Sequence, residues 1–470
     1  MNRETPSTYR GGAREEQAWR EVGHTDVRPA TSWLLVAVFV AAVVLAPVLS
    51  QMTGARPGVE GVESAWAQLA GIPADVGARL RGVEPGVAGA GPWVRTVEAN
   101  RSVLARLKAF EDTLDRESRP GRDLRPPAQR VLSGWFGAGN ERVYIGRDGW
   151  AFYRPDVESL TGPPWLDPRQ LDRRVRAASE WETPPQPDPR PAIVEFHRAL
   201  ADRGIALVVV ATPVKPTVHP ERLARAYGAS TVPVQNPSSA ELFDDLRREG
   251  VVVFDPAEML VAERVRTGRP QYFATDTHWR PEAMEAVARE LAAMVKAQVA
   301  LPGGVNPGYR TQSREVRQLG DTVAMLDLPA GQSLYAPETA WIRRIVDRDG
   351  RPWRPDREAD VLLLGDSFTN IFSLGTMGWG ESAGLAEQLS YELRRPVDRI
   401  VQNDAGAFAT RERLAQALRE EPDRLRRVRV VIWQFAAREL AFGDWRPSGS
   451  GLGAAVSSQI VTNRGQTPAP

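Results

Sequence analysis

Residues 359–370 read ADVLLLGDSFTN, from Ala359 to Asn370. An unbroken apolar run at 361–364 ends at Gly365-Asp366-Ser367, the pattern of a strand buried on both faces, which places it inside a parallel sheet. In such sheets reactive groups gather beyond the carboxyl ends of the strands, and Ser367 falls there. Two readings of Ser367 follow: a nucleophile, or a cap for the helix that leaves the strand.

The chain around this stretch alternates. Residues 205–211 (IALVVVA), 251–254 (VVVF), 399–401 and 428–433 (VRVVIW) are further strand candidates. Helices are predicted between them at 192–203, 240–249, 281–296, 382–394 and 410–420. Pro281 suits the first helical position, where a missing donor costs nothing. Regular alternation predicts an α/β fold, a parallel sheet of about five strands with helices on both faces. The alternation breaks at 301–351, read as an irregular insertion with some β structure. Five prolines between Thr183 and Pro191 mark the entry to this domain, set at 191–445.

Upstream, the sequence divides into a polar tail at 1–30, an apolar segment at 31–50, a Gly/Ala/Pro-rich spacer at 51–92, and a region at 93–190 expected to hold a helical stalk and a small β element. Val97, Leu104, Leu107 and Leu114 supply the helical stripe. Asp148-Gly149 within RVYIGRDGWAFYRPD is a hairpin signal. The run WLLVAVFVAAVVLAPVL from Trp33 to Leu49 carries no charge and is at the short limit for a helix crossing a bilayer. Five arginines precede it, and only Arg56 follows before Arg79, which predicts a cytoplasmic amino terminus. The leader is long for a cleaved signal peptide, so an uncleaved single-pass anchor is expected. The Gly/Ser/Pro-rich stretch 446–470 is read as a disordered tail without a carbohydrate-binding module.

Composition narrows the chemistry. Charged residues make up 25% of the 470-residue chain and formal net charge is +1, with arginines interspersed among acids, so nucleic acid is not an expected partner. The chain has no cysteine, which excludes disulfides, thiolate zinc sites and a cysteine nucleophile. With four histidines, His24, His197, His219 and His278, no metal site is expected. A serine nucleophile needs a base and a group that orients the base. His278 is the candidate base, in Phe273-Ala274-Thr275-Asp276-Thr277-His278-Trp279. Asp276, two residues away on an extended loop, leaves the same side of the backbone and reaches Nδ1, which frees Nε2 for Ser367.

Gly365-Asp366-Ser367-Phe368, preceded in the chain by Asp276-Thr277-His278-Trp279, resembles the SGNH-hydrolase-like domain of bacterial alginate O-acetyltransferases of the AlgJ and AlgX type, which share this reversed motif order. Val143 to Phe152 (VYIGRDGWAF), Pro213-Val214-Lys215-Pro216-Thr217 and Trp433 to Leu440 (WQFAAREL) are also similar, over roughly residues 95–445. The resemblance implies a three-layer α/β/α SGNH-like domain with Ser367 as nucleophile, His278 as base and Asp276 as orienting acid. It further implies transfer of acetyl groups to an exopolysaccharide in the periplasm, with no cofactor and with the acetyl donor delivered by a multi-pass O-acyltransferase of the inner membrane. An acetyl esterase with the same triad and a non-catalytic polysaccharide-binding or secretion scaffold are the alternatives. Oxyanion donors are expected from the Ser367 amide and from the loop Gln402-Asn403-Asp404-Ala405-Gly406, through Asn403 and Gly406. Asp366 is read as structural. Lys215 is placed facing either a polysaccharide carboxylate or solvent; Trp433 and Arg438 line an acceptor groove or, for Trp433, the core.

Overall fold

The computed structural model describes residues 29–53, 65–83, 89, 91–117, 119–177, 184–228, 231–303, 306–403 and 406–446. Residues 1–28 of the polar tail and 447–470 lie outside the described residues. The chain divides into two units, 1–125 and 126–470.

In the first unit the helix Pro29–Thr53 carries the apolar run, with side chains described through residue 41. Among the described residues no helix is long and apolar enough to cross a membrane, so the expected anchor is not shown. The spacer expected at 51–92 is partly helical, which corrects that expectation. A helix, Ala65–Arg81, packs against Pro92–Glu117. The sequence obscured it because Gly71, Pro73 and Gly77 are poor helix formers. Asp75 offsets that by bonding Ser102 and pairing with Arg79 and Arg106 at 3.3 and 3.5 Å.

The second unit holds the sheet. Its strands are β3 (Ala206–Thr212), β4 (Val252–Phe254), β7 (Val361–Gly365), β8 (Asp398–Val401) and β9 (Val430–Ala436), all parallel in the order β4-β3-β9-β7-β8. Every residue of β7 and β9 is buried. Their period-two alternation feeds two cores: Val361, Leu363, Val430 and Ile432 join one face, while Leu362, Leu364, Val431 and Trp433 join the other. Helices Pro281–Gln298 and Leu385–Leu393 cover the first face; Pro189–Ala201, Ser238–Arg248 and Gly406–Glu420 cover the second. The result is a three-layer sandwich. Helices Arg154–Thr161, Pro168–Arg176 and Ala257–Thr267 are additions to the sequence reading.

Two antiparallel strand pairs form separate sheets. Strands β1 (Val143–Ile145) and β2 (Ala151–Tyr153) pair antiparallel across a turn where Asp148 (φ 53°) and Gly149 (φ 78°) are both left-handed, the conformation an Asp-Gly hairpin turn requires. Strands β5 (Arg310–Gln318) and β6 (Glu338–Val346) form a second antiparallel pair within the region read as an insertion.

Candidate active site

Strand β7 delivers Ser367 to the carboxyl edge of the sheet, where it opens the short helix Ser367–Asn370. Asp366 caps this helix: its Oδ1 accepts from the Phe368 amide at 2.9 Å and its Oδ2 from the Ala436 amide at 2.7 Å. Gln434, in the middle of β9, locks the arrangement. It donates to Asp366 Oδ1 at 2.9 Å and Thr212 Oγ1 at 3.0 Å, and accepts from the Asp366 amide and the Thr369 hydroxyl at 3.2 and 2.7 Å. A buried amide with all these bonds fixes the serine turn against its neighbours. Gln434→Leu is therefore expected to destabilise the protein by about 1–3 kcal/mol, the cost of leaving buried partners unsatisfied, as a shift of the urea midpoint.

The loop before helix Pro281–Gln298 brings the base. His278 Nε2 lies 2.8 Å from Ser367 Oγ, and Nδ1 lies 2.7 Å from Asp276 Oδ1. Both Asp276 and His278 are buried, at 2% and 4% exposure. The other oxygen of Asp276 accepts from Trp379 Nε1 at 2.9 Å and the Asp321 amide at 3.0 Å. Burial by itself pushes the Asp276 carboxyl up; the His278 bond and charge, with Trp379 and the Asp321 amide, reverse this and hold it well below the usual carboxylate range. Burial likewise pushes His278 down, but the bond to Asp276 and the Asp276 charge leave it above its ordinary value. An imidazole so placed takes a proton from the serine hydroxyl.

Asp321 was not legible in the sequence, since nothing in the 301–351 region marks it. It accepts from the Thr277 amide at 2.6 Å, and its Oδ2 lies 3.7 Å from His278 Nδ1. Burial and then repulsion from Asp276 raise its carboxyl, while a third of its side chain reaches solvent and screens both. Gly320 permits this approach, because a Cβ there would meet the Thr275 carbonyl oxygen at 2.2 Å. Asp276, His278 and Asp321 bring candidate metal-ligating atoms within 4.8 Å of one another. Those atoms are already used: each carboxylate oxygen accepts a protein hydrogen bond, and Nδ1 faces Asp276. The cluster fits a proton relay better than a cation site.

A profile for the family described as "SGNH hydrolase-like domain, acetyltransferase AlgX" matches residues 143–437. The chain belongs to this family of O-acetyltransferases. It is similar to the "Probable alginate O-acetylase AlgJ" of Pseudomonas fluorescens, 24% identical over 327 residues that make up 67% of this chain and 73% of the relative. The AlgJ of Azotobacter vinelandii, with the same description, is 23% identical over 316 residues, 65% and 71% of the two chains. Among solved structures, the O-acetyltransferase domain of Pseudomonas putida AlgJ aligns with a TM-score of 0.47 at 20% identity, covering 68% of this chain and 99% of that one.

The remaining residues singled out in the sequence have diverse places. Lys215 does not face substrate or solvent: it is fully buried and donates to the carbonyls of Ala151 and Ala274 at 2.6 and 3.2 Å, tying β2 to the loop that carries Asp276. Burial lowers it to about 8. Trp433 lines no groove either; it is fully buried against Phe196, Phe435 and Trp445 on the face of the sheet away from His278. Side-chain alternation decides this, since Trp433 and Gln434 point to opposite faces. Arg438 stands beside the site, over the Phe368 ring at 6.0 Å, with its Nη1 held by buried Asp156 at 2.9 Å. Asn403 accepts from the Asn370 side chain at 2.9 Å, which orients its own amide nitrogen, 3.7 Å from Met377 Sδ, away from that bond. Gly406 begins helix Gly406–Glu420 at φ 65°, and a Cβ would come within 2.0 Å of Glu439 Oε2. Its observed role is close packing on that carboxylate.

Proposed function

We propose that this chain transfers acetyl groups to hydroxyls of an exopolysaccharide, alginate or a cellulose-like polymer, through an acetyl-serine on Ser367. The single observation that carries the reading is the relay Asp276–His278–Ser367, with its contacts of 2.7 and 2.8 Å, and the descriptions of the alginate O-acetylases above support the acceptor class. Ser367 Oγ attacks the acetyl carbonyl while His278 Nε2 takes its proton; collapse of the tetrahedral intermediate expels the donor's leaving group, which receives that proton. A sugar hydroxyl then attacks the acetyl-serine, gives its proton to His278, and leaves as the ester while Ser367 recovers its own. The Ser367 amide, at a helix start without an intrahelical acceptor, is the first oxyanion donor, and the oriented amide of Asn403 the second. Gly406 is not assigned to this role.

The acetyl group arrives from a multi-pass membrane O-acyltransferase, and this chain binds no cofactor of its own. The catalytic unit faces the periplasm, held at the inner membrane by residues 31–50. Support for the anchor comes from the helix Pro29–Thr53, where Trp33, Leu34, Leu35 and Phe39 are all more than half exposed, and from the arginine-rich leader.

The test is a two-stage labelling experiment. With an activated acetyl ester as donor, mass spectrometry is expected to find one acetyl group on the Ser367 peptide. Adding polysaccharide should discharge it to polymer faster than water does. Discharge to water at a rate indifferent to polymer makes the protein an esterase, and absence of label leaves the scaffold reading.

A further inference from the structure

His219 takes no part in the relay, yet it is bonded at both ring nitrogens. It is 2% exposed and ends the short helix Lys215–Val218. Nδ1 lies 3.1 Å from Glu221 Oε1, and Nε2 lies 3.0 Å from the backbone nitrogen of Gln271. A peptide N–H only donates, so Nε2 is the acceptor here, and the neutral ring carries its proton on Nδ1, facing the carboxylate. The Asp276–His278 pair has the same proton placement, with Nε2 turned to Ser367 Oγ. In His219 the group at Nε2 is an amide with no chemistry to offer, so the contact is one that holds the chain.

Gln271 is the foot of the catalytic loop. Its carbonyl accepts from the Arg280 amide at 2.8 Å, Tyr272 and Trp279 form an antiparallel bridge, and the Phe273 amide donates to the His278 carbonyl at 3.3 Å. These contacts close a narrow stem with Asp276 near its tip and His278 on its returning arm. The rings of the stem meet Phe368, the neighbour of Ser367: Tyr272, His278 and Trp279 have centroids 6.4, 4.8 and 5.4 Å from it. In so close-packed a contact a shift at Gln271 is passed on to the distance between His278 and Ser367. Lys215, one turn before His219, holds the same loop through the Ala274 carbonyl, and the Tyr272 hydroxyl donates to the carbonyl of Pro213.

We propose that His219 is a positioning residue for acetyl transfer: its unprotonated Nε2 receives the Gln271 amide and keeps the 271–280 loop, with Asp276 and His278 on it, in register with Ser367. The inference rests on the relay proposed above. A proton on Nε2 would set two donors face to face, and the stem would lose this bond. The surroundings oppose that proton. Burial is the largest influence and lowers His219 below its ordinary value; the bond to Glu221 and the Glu221 charge act the other way, and the Arg264 and Lys215 charges add to the lowering. Arg264 pairs with the other oxygen of Glu221. Farther out, Arg222, paired with Asp148 at 2.7 Å, lies 5.6 Å from the Trp150 ring, which packs on the imidazole at 4.7 Å. Tyr272, 6.3 Å from the imidazole, stays neutral because burial pushes its hydroxyl well up. The chemistry thus depends on two histidines in the same uncharged form, and on the acid side it responds to two protons where the relay alone responds to one.

The experiment follows kcat/KM for p-nitrophenyl acetate against pH in the full-length chain, in His219→Gln and in His219→Leu, with Ser367→Ala as the blank. Glutamine carries an acceptor oxygen at the reach of Nε2 and does not titrate. His219→Gln is expected to keep kcat/KM at pH 7.5 within about threefold of wild type, while His219→Leu, which leaves the buried amide unpaired, loses about ten- to a hundredfold. In a logarithmic plot the wild-type acid limb should steepen from a slope of about 1 to about 2 as His219 takes up its proton, and that of His219→Gln should stay near 1. Labelling with 15N-histidine gives a readout that needs no turnover. The chain has four histidines, and the signal of His219, identified by its absence from His219→Gln, should show a proton on Nδ1 and a bare Nε2 at pH 7.5. Equal slopes in wild type and His219→Gln, full turnover in folded His219→Leu, or a proton on Nε2 of His219 at pH 7.5 overturns the positioning role and leaves the relay standing. Wild-type turnover no greater than that of Ser367→Ala, with His219 in the expected form, overturns the relay and the role of His219 in catalysis together.

Discussion

Ser367→Ala is expected to reduce acetyl transfer by about 10⁴–10⁶-fold, because the covalent route disappears and only positioning and oxyanion donors remain. The change removes one hydroxyl whose observed partner is His278 at 2.8 Å. The local fold depends on other groups, Asp366 and Gln434, which the substitution leaves in place. A stability change of about 1 kcal/mol or less is therefore expected, seen as a melting temperature shifted by only about 2–4 °C. Acetylated polymer measured from the purified variant, next to its melting curve, checks both halves. Undiminished transfer with an intact fold would remove Ser367 from the mechanism.

Asp276→Asn carries the second large effect, a loss of about 10⁴-fold in turnover of a small ester. The carboxylate accepts from His278 Nδ1 and thereby directs Nε2 to Ser367; an amide that presents its NH2 to Nδ1 favours the wrong tautomer. Its other oxygen accepts from Trp379 and from the Asp321 amide. The amide oxygen keeps those two bonds, but the NH2 at the other position faces the His278 backbone N–H, which donates to Asp276 Oδ1 in the wild type, so about 1–3 kcal/mol of stability should go with the activity. The pH dependence has a definite sign. His278 sits above its ordinary value because of Asp276, so wild-type kcat/KM should rise with pH through an apparent pKa above about 6.5 as the base loses its proton. In Asp276→Asn that limb moves to lower pH. Stability follows the same linkage. Asp276 is held below its unfolded value, so its contribution is full above about pH 4 and is lost as pH falls through the folded value; that of His278 is full below about pH 6.5 and is lost as pH rises through its raised value. Urea midpoints of the variant should show both dependences flattened.

The sheet was readable because burial on both faces writes apolar runs directly into the chain. Each of the five strands begins and ends within about three residues of its run, a margin ordinary for element ends. Gln434 carried a signal that went unused: one amide inside the apolar run VVIWQFA has to be satisfied by something, and here that is the serine turn. Lys215 was misplaced for the converse reason, since a lysine after a strand usually reaches water and only the packing of β2 over it shows two carbonyls waiting. The helix Ala65–Arg81 was hidden by its own glycines and proline and owes its existence to a partner helix.

The amino-acid sequence by itself determined the alternating α/β plan, the serine at the end of a strand buried on both faces and the aspartate–histidine pair spaced to share a proton, because these depend on local periodicity and on side chains two residues apart. Tertiary structure alone decided what surrounds them. Asp321 and Trp379 meet Asp276 from 45 and 103 residues away, and Asp156 meets Arg438 across 282. Contacts over such separations follow from how layers pack, and no spacing in the chain encodes them.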